Sequence, residues 1–169
     1  MAVAGKDGTA VPLIQMLSIQ ERENVELEMF FQFYKKHFNL SPDCIMTDCA
    51  ANYALKISKH LPNVKHLLCT WHVYRAWKNQ VRKHFSEDWG KRFAQLIEIQ
   101  KILNKEKMIE SLNSFLSNSP HQFKSYFETQ YLKSIFKWAA FNRKGSGVNV
   151  NMAIESYHWI LKRDFLECK

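Results

Sequence analysis

Hydrophobic and polar residues follow a strand-like alternation at the start of the chain and a helical period soon afterwards. Residues 2–17 place two short apolar runs around an Asp-Gly pair, which predicts a β-hairpin. A Ser-x-x-Glu capping box then predicts a helix over 18–38. Because apolar residues lie on two sides of this helix, we expect it to be mostly buried. The two apolar stripes are Val25, Met29 and Phe33, and Leu27, Phe31, Tyr34 and Phe38.

A strand, a helix and a second strand come next. The run Cys44-Ile45-Met46-Thr47 predicts a short buried strand, residues 50–60 a helix, and residues 64–68 another strand. Consecutive strands joined by a crossover helix pair in parallel. The pattern therefore predicts an α/β fold whose strand ends carry the chemistry, as in other open α/β sheets.

The apolar period is helical from residue 71 to residue 141. It predicts helices over 71–85 and 89–103, a third near 108–116, and an interrupted helix over 120–141. A flexible basic loop over residues 142–147 precedes a final helix, which ends near Phe165. Because no long linker or internal repeat divides the sequence, we predict a single domain, 1–169.

Composition limits the class of protein. A chain of 169 residues that is 46% hydrophobic can bury a core, and its net charge of +8 favours an anionic partner such as nucleic acid. The alternative is a basic protein that has no such partner. The four cysteines lack the spacing of a disulfide framework, which favours a reducing compartment. No run reads as a signal peptide or a membrane span, so we expect no membrane contact.

Candidate ligands stand at the two predicted strand ends. Asp48 follows the first strand, where a carboxylate could bind a hard cation or could cap the next helix. Cys69 and His72 follow the second strand with the spacing of half a zinc site. The alternative is a buried thiol and a histidine that is bonded to the sheet. Candidates for the remaining zinc ligands are Cys44, Cys49 and His66.

The helices supply an acid and a basic strip. Glu155 borders the apolar stripe of the final helix, so it could reach inward, although a solvated glutamate is the alternative. Helix 71–85 carries Arg75, Lys78 and Arg82 on one strip beside Trp71. Such a strip suits phosphate contact with base stacking, and the alternative is an ordinary solvated face.

Four segments in this order resemble the transposase domain of Mutator-like elements (MULE), and the resemblance covers nearly the whole chain. The segments are Met46-Thr47-Asp48-Cys49-Ala50, Leu61-Pro62-Asn63, His66-Leu67-Leu68-Cys69-Thr70-Trp71-His72, and Asn151-Met152-Ala153-Ile154-Glu155-Ser156-Tyr157-His158-Trp159-Ile160-Leu161-Lys162. Each piece is weak by itself, but the ordered set is specific.

The resemblance implies an RNase H-like fold with an Asp-Asp-Glu triad that binds Mg²⁺ or Mn²⁺. Asp48 matches the second acid and Glu155 the third, and the helices over 71–141 match an insertion between them. Cys69 and His72 match a Cys-x-x-His motif, for which zinc is possible. The implied chemistry is two-metal cutting and joining of DNA strands. The DNA contacts we predict are Trp71, Arg75, Lys78, Arg82 and Lys162.

The first acid of the family lies on a strand upstream of the hairpin seen here. We therefore expect a truncated RNase H-like sheet whose first strand is missing, with two of three acids and no strand transfer by this chain alone. A transposon-derived DNA-binding or regulatory protein is one alternative, and a helical protein-interaction module without nucleic acid is another. The resemblance also implies a nuclear location, and self-association is possible.

Overall fold

The computed structural model describes residues 2–4, 10–12, 25–38, 42–49, 51–146 and 152–164. The chain divides into two compact units, each treated by itself below. The mixed unit comprises Met1–His66 and Ser146–Lys169, and the helical unit comprises Leu67–Gly145. The prediction of a single domain with an insertion over 71–141 stays a prediction.

Four short strands and eight α-helices make up the described part of the chain. In chain order they are β1 Ala2–Ala4, β2 Ala10–Pro12, α1 Val25–His37, β3 Cys44–Thr47, α2 Ala51–His60, β4 Lys65–Leu68, α3 Thr70–His84, α4 Trp89–Lys101, α5 Lys105–Ser117, α6 His121–Gln130, α7 Ile135–Trp138 and α8 Met152–Asp164. None of the helices described here is long and apolar enough to cross a membrane.

The strands form two separate pairs. Strands β1 and β2 are antiparallel with Val3 opposite Val11, which confirms the predicted hairpin; its turn lies outside the described residues. Strands β3 and β4 form a parallel pair joined by helix α2. The backbone N–H of Lys65 donates to the carbonyl of Asp43 at the start of that pair, at 3.2 Å. The fold is thus mostly helical with a small parallel sheet, and its RNase H-like character stays a prediction.

A cluster of charged groups joins α1 to α2 in the mixed unit. The carboxylate of Glu28 accepts hydrogen bonds from the Nζ atoms of Lys56 and Lys59 at 2.8 and 2.7 Å, and lies 2.9 Å from Nε2 of His60. The hydrogen bonds that Glu28 accepts from Lys56, Lys59 and His60 hold the pKa of its carboxyl group well below the ordinary range. The ring of His60 also stacks on Phe31, with centroids 5.4 Å apart.

Helix α1 is buried on one side only, so the prediction of a mostly buried helix is wrong. Val25, Met29 and Phe33 are 59%, 60% and 49% exposed, whereas Phe31 and Tyr34 are buried. The face with Phe31 packs against α2, and a helix with one such neighbour buries a single stripe. The capping box predicted at residue 18 lies outside the described residues.

We predict that Glu28→Gln lowers the melting temperature of the protein at neutral pH. A carboxylate whose pKa is depressed by folding stabilises the folded state above its ordinary pKa of 4.5, and that contribution disappears as the pH falls below it. The wild type and the variant should therefore differ at pH 7, and the difference should shrink steadily as the pH falls from 4.5 towards the depressed pKa of the folded state. Circular dichroism melts at several pH values measure this, and an equal difference at all pH values would contradict it.

The core of the helical unit is aromatic. Trp77 on α3 is fully buried, and its ring lies 5.5 Å from Phe127, 5.6 Å from Tyr131 and 5.1 Å from Trp138 between centroids. The predicted helices over 71–85 and 89–103 are observed as α3 and α4. The predicted interrupted helix over 120–141 is observed as α6 and α7, with short 3-10 turns after each.

Trp77 offers a test of this core. Its indole N–H has no hydrogen-bond partner among the described residues, so the side chain stabilises the unit through apolar packing alone. We predict that Trp77→Ala lowers the free energy of unfolding by about 3–5 kcal/mol. Trp77→Phe keeps an aromatic ring and leaves no polar group without a hydrogen-bond partner. It should therefore lower the free energy of unfolding by less than half as much. Urea titrations followed by circular dichroism compare the two, and equal losses would contradict the prediction.

Candidate nucleic-acid interface and strand-end residues

The end of strand β3 is tied to β4 next to Asp48. Thr47 Oγ1 donates to the backbone carbonyl of Asp48 at 2.9 Å and lies 2.8 Å from His66 Nε2. The Thr47 hydroxyl therefore links the end of β3 to the ring of His66 on β4, and the tautomer of that ring decides which of the two atoms donates.

Glu155 lies in the first turn of α8 and is half-buried. One of its carboxylate oxygens is shielded from solvent, which disfavours the alternative of a fully solvated side chain. A recess of about 440 Å³ borders it, lined by Glu155, Ser156, Trp159 and Ile160. Asp48 is also half-buried and belongs to the same mixed unit. The convergence of these two acids stays a prediction.

Two carboxylates are suitable donors for a weak Mg²⁺ or Mn²⁺ site. Across the residues with described positions, no group of three or more His, Cys, Asp or Glu side chains is arranged to hold a metal ion. The assignment of Asp48 and Glu155 to a carboxylate set stays a prediction. The metal cofactors stay predictions.

Cys69 and His72 lie at the start of α3 in the helical unit. Cys69 is fully buried at the N-cap position, and its carbonyl accepts from the N–H of Val73 at 3.1 Å. His72 is half-buried, and its ring meets Trp71 edge-on with centroids 4.8 Å apart.

The three further zinc candidates belong to the mixed unit. Cys49 is exposed, and Cys44 is half-buried with Sγ 3.9 Å from the carbonyl oxygen of Ser146. His66 bonds to Thr47 as described above. Zinc binding by Cys69 and His72, with any of these three residues as a further ligand, stays a prediction.

The predicted flexible basic loop over 142–147 is wrong at Arg143. This residue is only 8% exposed, and its guanidinium donates to three backbone carbonyls. It bonds to Trp138 at 3.3 Å, to Lys137 at 3.1 Å, and to Leu68 at the end of β4. A buried cation needs such acceptors because it has lost its hydration, so Arg143 is a structural residue of the helical unit.

A buried hydrogen-bond chain continues from Arg143 to helix α3. The carbonyl of Trp138 also accepts from Nε2 of Gln100 at 2.9 Å. Gln100 Oε1 in turn accepts from the hydroxyl of Tyr74 at 2.8 Å. Burial raises the pKa of Tyr74, so the hydroxyl keeps its proton as a donor at neutral pH. Sequence reasoning missed Gln100 and Arg143, since neither polar residue stands in a recognisable motif.

The basic strip of α3 is exposed along its length. Arg75, Lys78 and Arg82 all face solvent, and Trp71 is 41% exposed. The guanidinium of Arg75 lies 5.3 Å from the ring of Trp71, and that of Arg82 lies 4.3 Å from the ring of Trp89. Lys78 Nζ is 6.0 Å from the same Trp89 ring. Trp89 was not among the predicted DNA contacts, although it stands seven positions after Arg82.

Positive charge is concentrated in the helical unit. This unit contains 14 basic and six acidic residues, a net charge of +8, while the mixed unit contains ten of each. No acidic residue occurs between Asp48 and Glu87, a stretch that includes all of α3. Lys162, the remaining predicted DNA contact, lies on α8 in the mixed unit, and its side chain is outside the described part. The excess charge of the chain is therefore the excess charge of one unit.

No protein-family model, curated protein or solved structure matches this chain. The resemblance to MULE transposases therefore rests on the ordered sequence segments alone.

Proposed function

We propose that this chain is a transposon-derived DNA-binding protein on a MULE-type scaffold, and that its helical unit binds double-stranded DNA through α3. The observation that carries the proposal is the charge distribution: the helical unit has a net charge of +8 and the mixed unit is neutral. Binding of phosphates by clustered lysine and arginine supplies most of the sequence-independent affinity for DNA. A nuclear location and self-association would accompany this function and remain part of the proposal.

The dimensions of α3 support this assignment. Fifteen residues span about 22 Å, and the major groove of DNA is wide enough to admit one helix. The helix contains four basic and no acidic residues, so no carboxylate on it repels phosphate. Cation–π contacts with Trp71 and Trp89 limit the rotamers of Arg75 and Arg82 before binding, which reduces the entropy lost on contact.

We predict that the double variant Arg75→Ala/Arg82→Ala weakens DNA binding and its salt dependence together. Each lost phosphate contact lowers the slope of log K against log salt by about 0.9, so the slope should become shallower by about two. Fluorescence anisotropy with a labelled 20-base-pair duplex, measured over a series of salt concentrations, gives the slope directly.

The matched control is Lys101→Ala/Lys124→Ala, which removes the same charge from the same unit. These lysines already pair with carboxylates, Lys101 with Glu98 at 2.7 Å and Lys124 with Glu128 at 4.0 Å. Their loss should leave the slope nearly unchanged. Equal effects of the two double variants would mean that α3 is not the interface, and a lack of salt-dependent binding in the wild type would refute DNA binding.

A second candidate function is the metal-dependent DNA chemistry of the MULE family. It is favoured by Asp48 at a strand end and by the shielded carboxylate oxygen of Glu155 in the same unit. In such a reaction, carboxylates hold cations that activate the attacking oxygen and stabilise the leaving oxygen. With Asp48 and Glu155 as its acids, we expect this chain to bind a cation and not to cleave DNA strands.

We predict that Mn²⁺ raises the melting temperature of the wild type more than that of Asp48→Asn or Glu155→Gln. Glu87→Gln is the control, because this exposed acid belongs to the helical unit. Differential scanning fluorimetry with increasing Mn²⁺ measures the shifts, and nicking of supercoiled plasmid tests cleavage. Equal shifts in all four proteins would remove the proposed cation site, whereas nicking that requires Asp48 and Glu155 would establish the catalytic function.

A further inference from the structure

A second exposed aromatic ring on the helical unit has a cation over its face. Phe136 on α7 is 50% exposed, and Lys105 Nζ lies 5.2 Å from its ring centroid. The ring of Phe141 meets it edge-on at 5.6 Å, and Asn142 Nδ2 donates to the carbonyl of Phe136 at 2.6 Å. Phe136 is therefore held in place while half of its surface remains open to solvent.

The sequence around Phe136 is basic. No acidic residue occurs between Glu128 and Glu155, and Lys133 and Lys144 in this stretch are exposed. Lys105, the cation over the ring, is directly followed by Glu106, which is the nearest acidic residue in its sequence. An open aromatic ring within a cationic surface is the combination that binds single-stranded nucleic acid, because every base has a π-face and every nucleotide carries a phosphate.

We propose that Phe136 and the flanking lysines, Lys105 above all, form a binding site for single-stranded nucleic acid that is separate from the α3 strip. A base would stack on Phe136 as the ammonium of Lys105 leaves the ring to contact a phosphate. The proposal rests on the proposed nucleic-acid function and adds a second ligand form to it. Single strands are favoured because stacking needs an unpaired base and a protruding ring, whereas an acidic peptide anchors its apolar side chains in a groove.

The test uses fluorescence anisotropy with labelled dT12. Phe136→Ser should weaken binding by about 5- to 100-fold, the range for loss of one stacked base. Phe136→Trp should retain the affinity, since it preserves a π-face. Leu103→Ser is the matched control, because Leu103 is a 72% exposed apolar residue of the same unit and should tolerate the change without loss of binding. Circular dichroism confirms that each variant is folded.

Failure of this proposal is distinguishable from failure of the proposed function. If duplex binding depends on Arg75 and Arg82 but dT12 binding is unaffected by Phe136→Ser, only the present site is overturned. If neither duplex nor dT12 binds, both proposals are overturned. A twelve-residue peptide of alternating glutamate and leucine serves as a competitor. Phe136-dependent binding of this peptide without Phe136-dependent binding of dT12 would assign the surface to a protein partner instead.

Discussion

The helical unit depends on a buried positive charge that donates to three backbone carbonyls. Arg143 donates to carbonyls of Leu68, Lys137 and Trp138, and it is nearly inaccessible to solvent. Leaving a buried carbonyl without a donor costs about 1–3 kcal/mol, and stranding the guanidinium would cost more. Because its acceptors lie on Leu68 and on the segment after α6, Arg143 holds the end of β4 against that segment.

Arg143 is connected to α3, the proposed DNA-binding helix, both along the backbone and through hydrogen bonds. Leu68 precedes Cys69, the N-cap residue of α3, so the position of Leu68 fixes where the basic helix begins. Tyr74, one turn into α3, joins the same network through Gln100. The exposed cations occupy the other side of that helix, because buried positions Val73, Trp77 and Val81 are taken by the core. The buried apolar face of α3 thus determines the direction in which the charged strip faces outward.

Local patterns in the sequence predict the elements well and their environments poorly. The hairpin pairing, α2 between two strands, and the amphipathic period of α3 depend on neighbouring residues, so they could be predicted. The exposure of Val25, Met29 and Phe33 could not, since an apolar stripe does not reveal whether a neighbour covers it. Arg143 was also inaccessible to sequence reasoning, because its acceptor Leu68 stands 75 positions away. The convergence of Asp48 and Glu155 depends on the same kind of distant contact and stays a prediction.

Binding of DNA and binding of divalent cations require opposite charges, and the chain separates them along its sequence. A cation site needs carboxylates whose negative field is not cancelled, whereas a DNA-binding surface needs cations without nearby acids. The acid-free stretch from residue 49 to residue 86 begins immediately after Asp48 and contains α3, and Glu155 lies beyond the basic stretch that contains Phe136. Changes to Asp48 or Glu155 therefore alter the charge of the neutral unit alone. Changes to Arg75 or Arg82 alter only the unit that carries the excess charge. Substitutions in one set therefore leave the net charge of the other unit unchanged, so the two proposed activities can be tested separately.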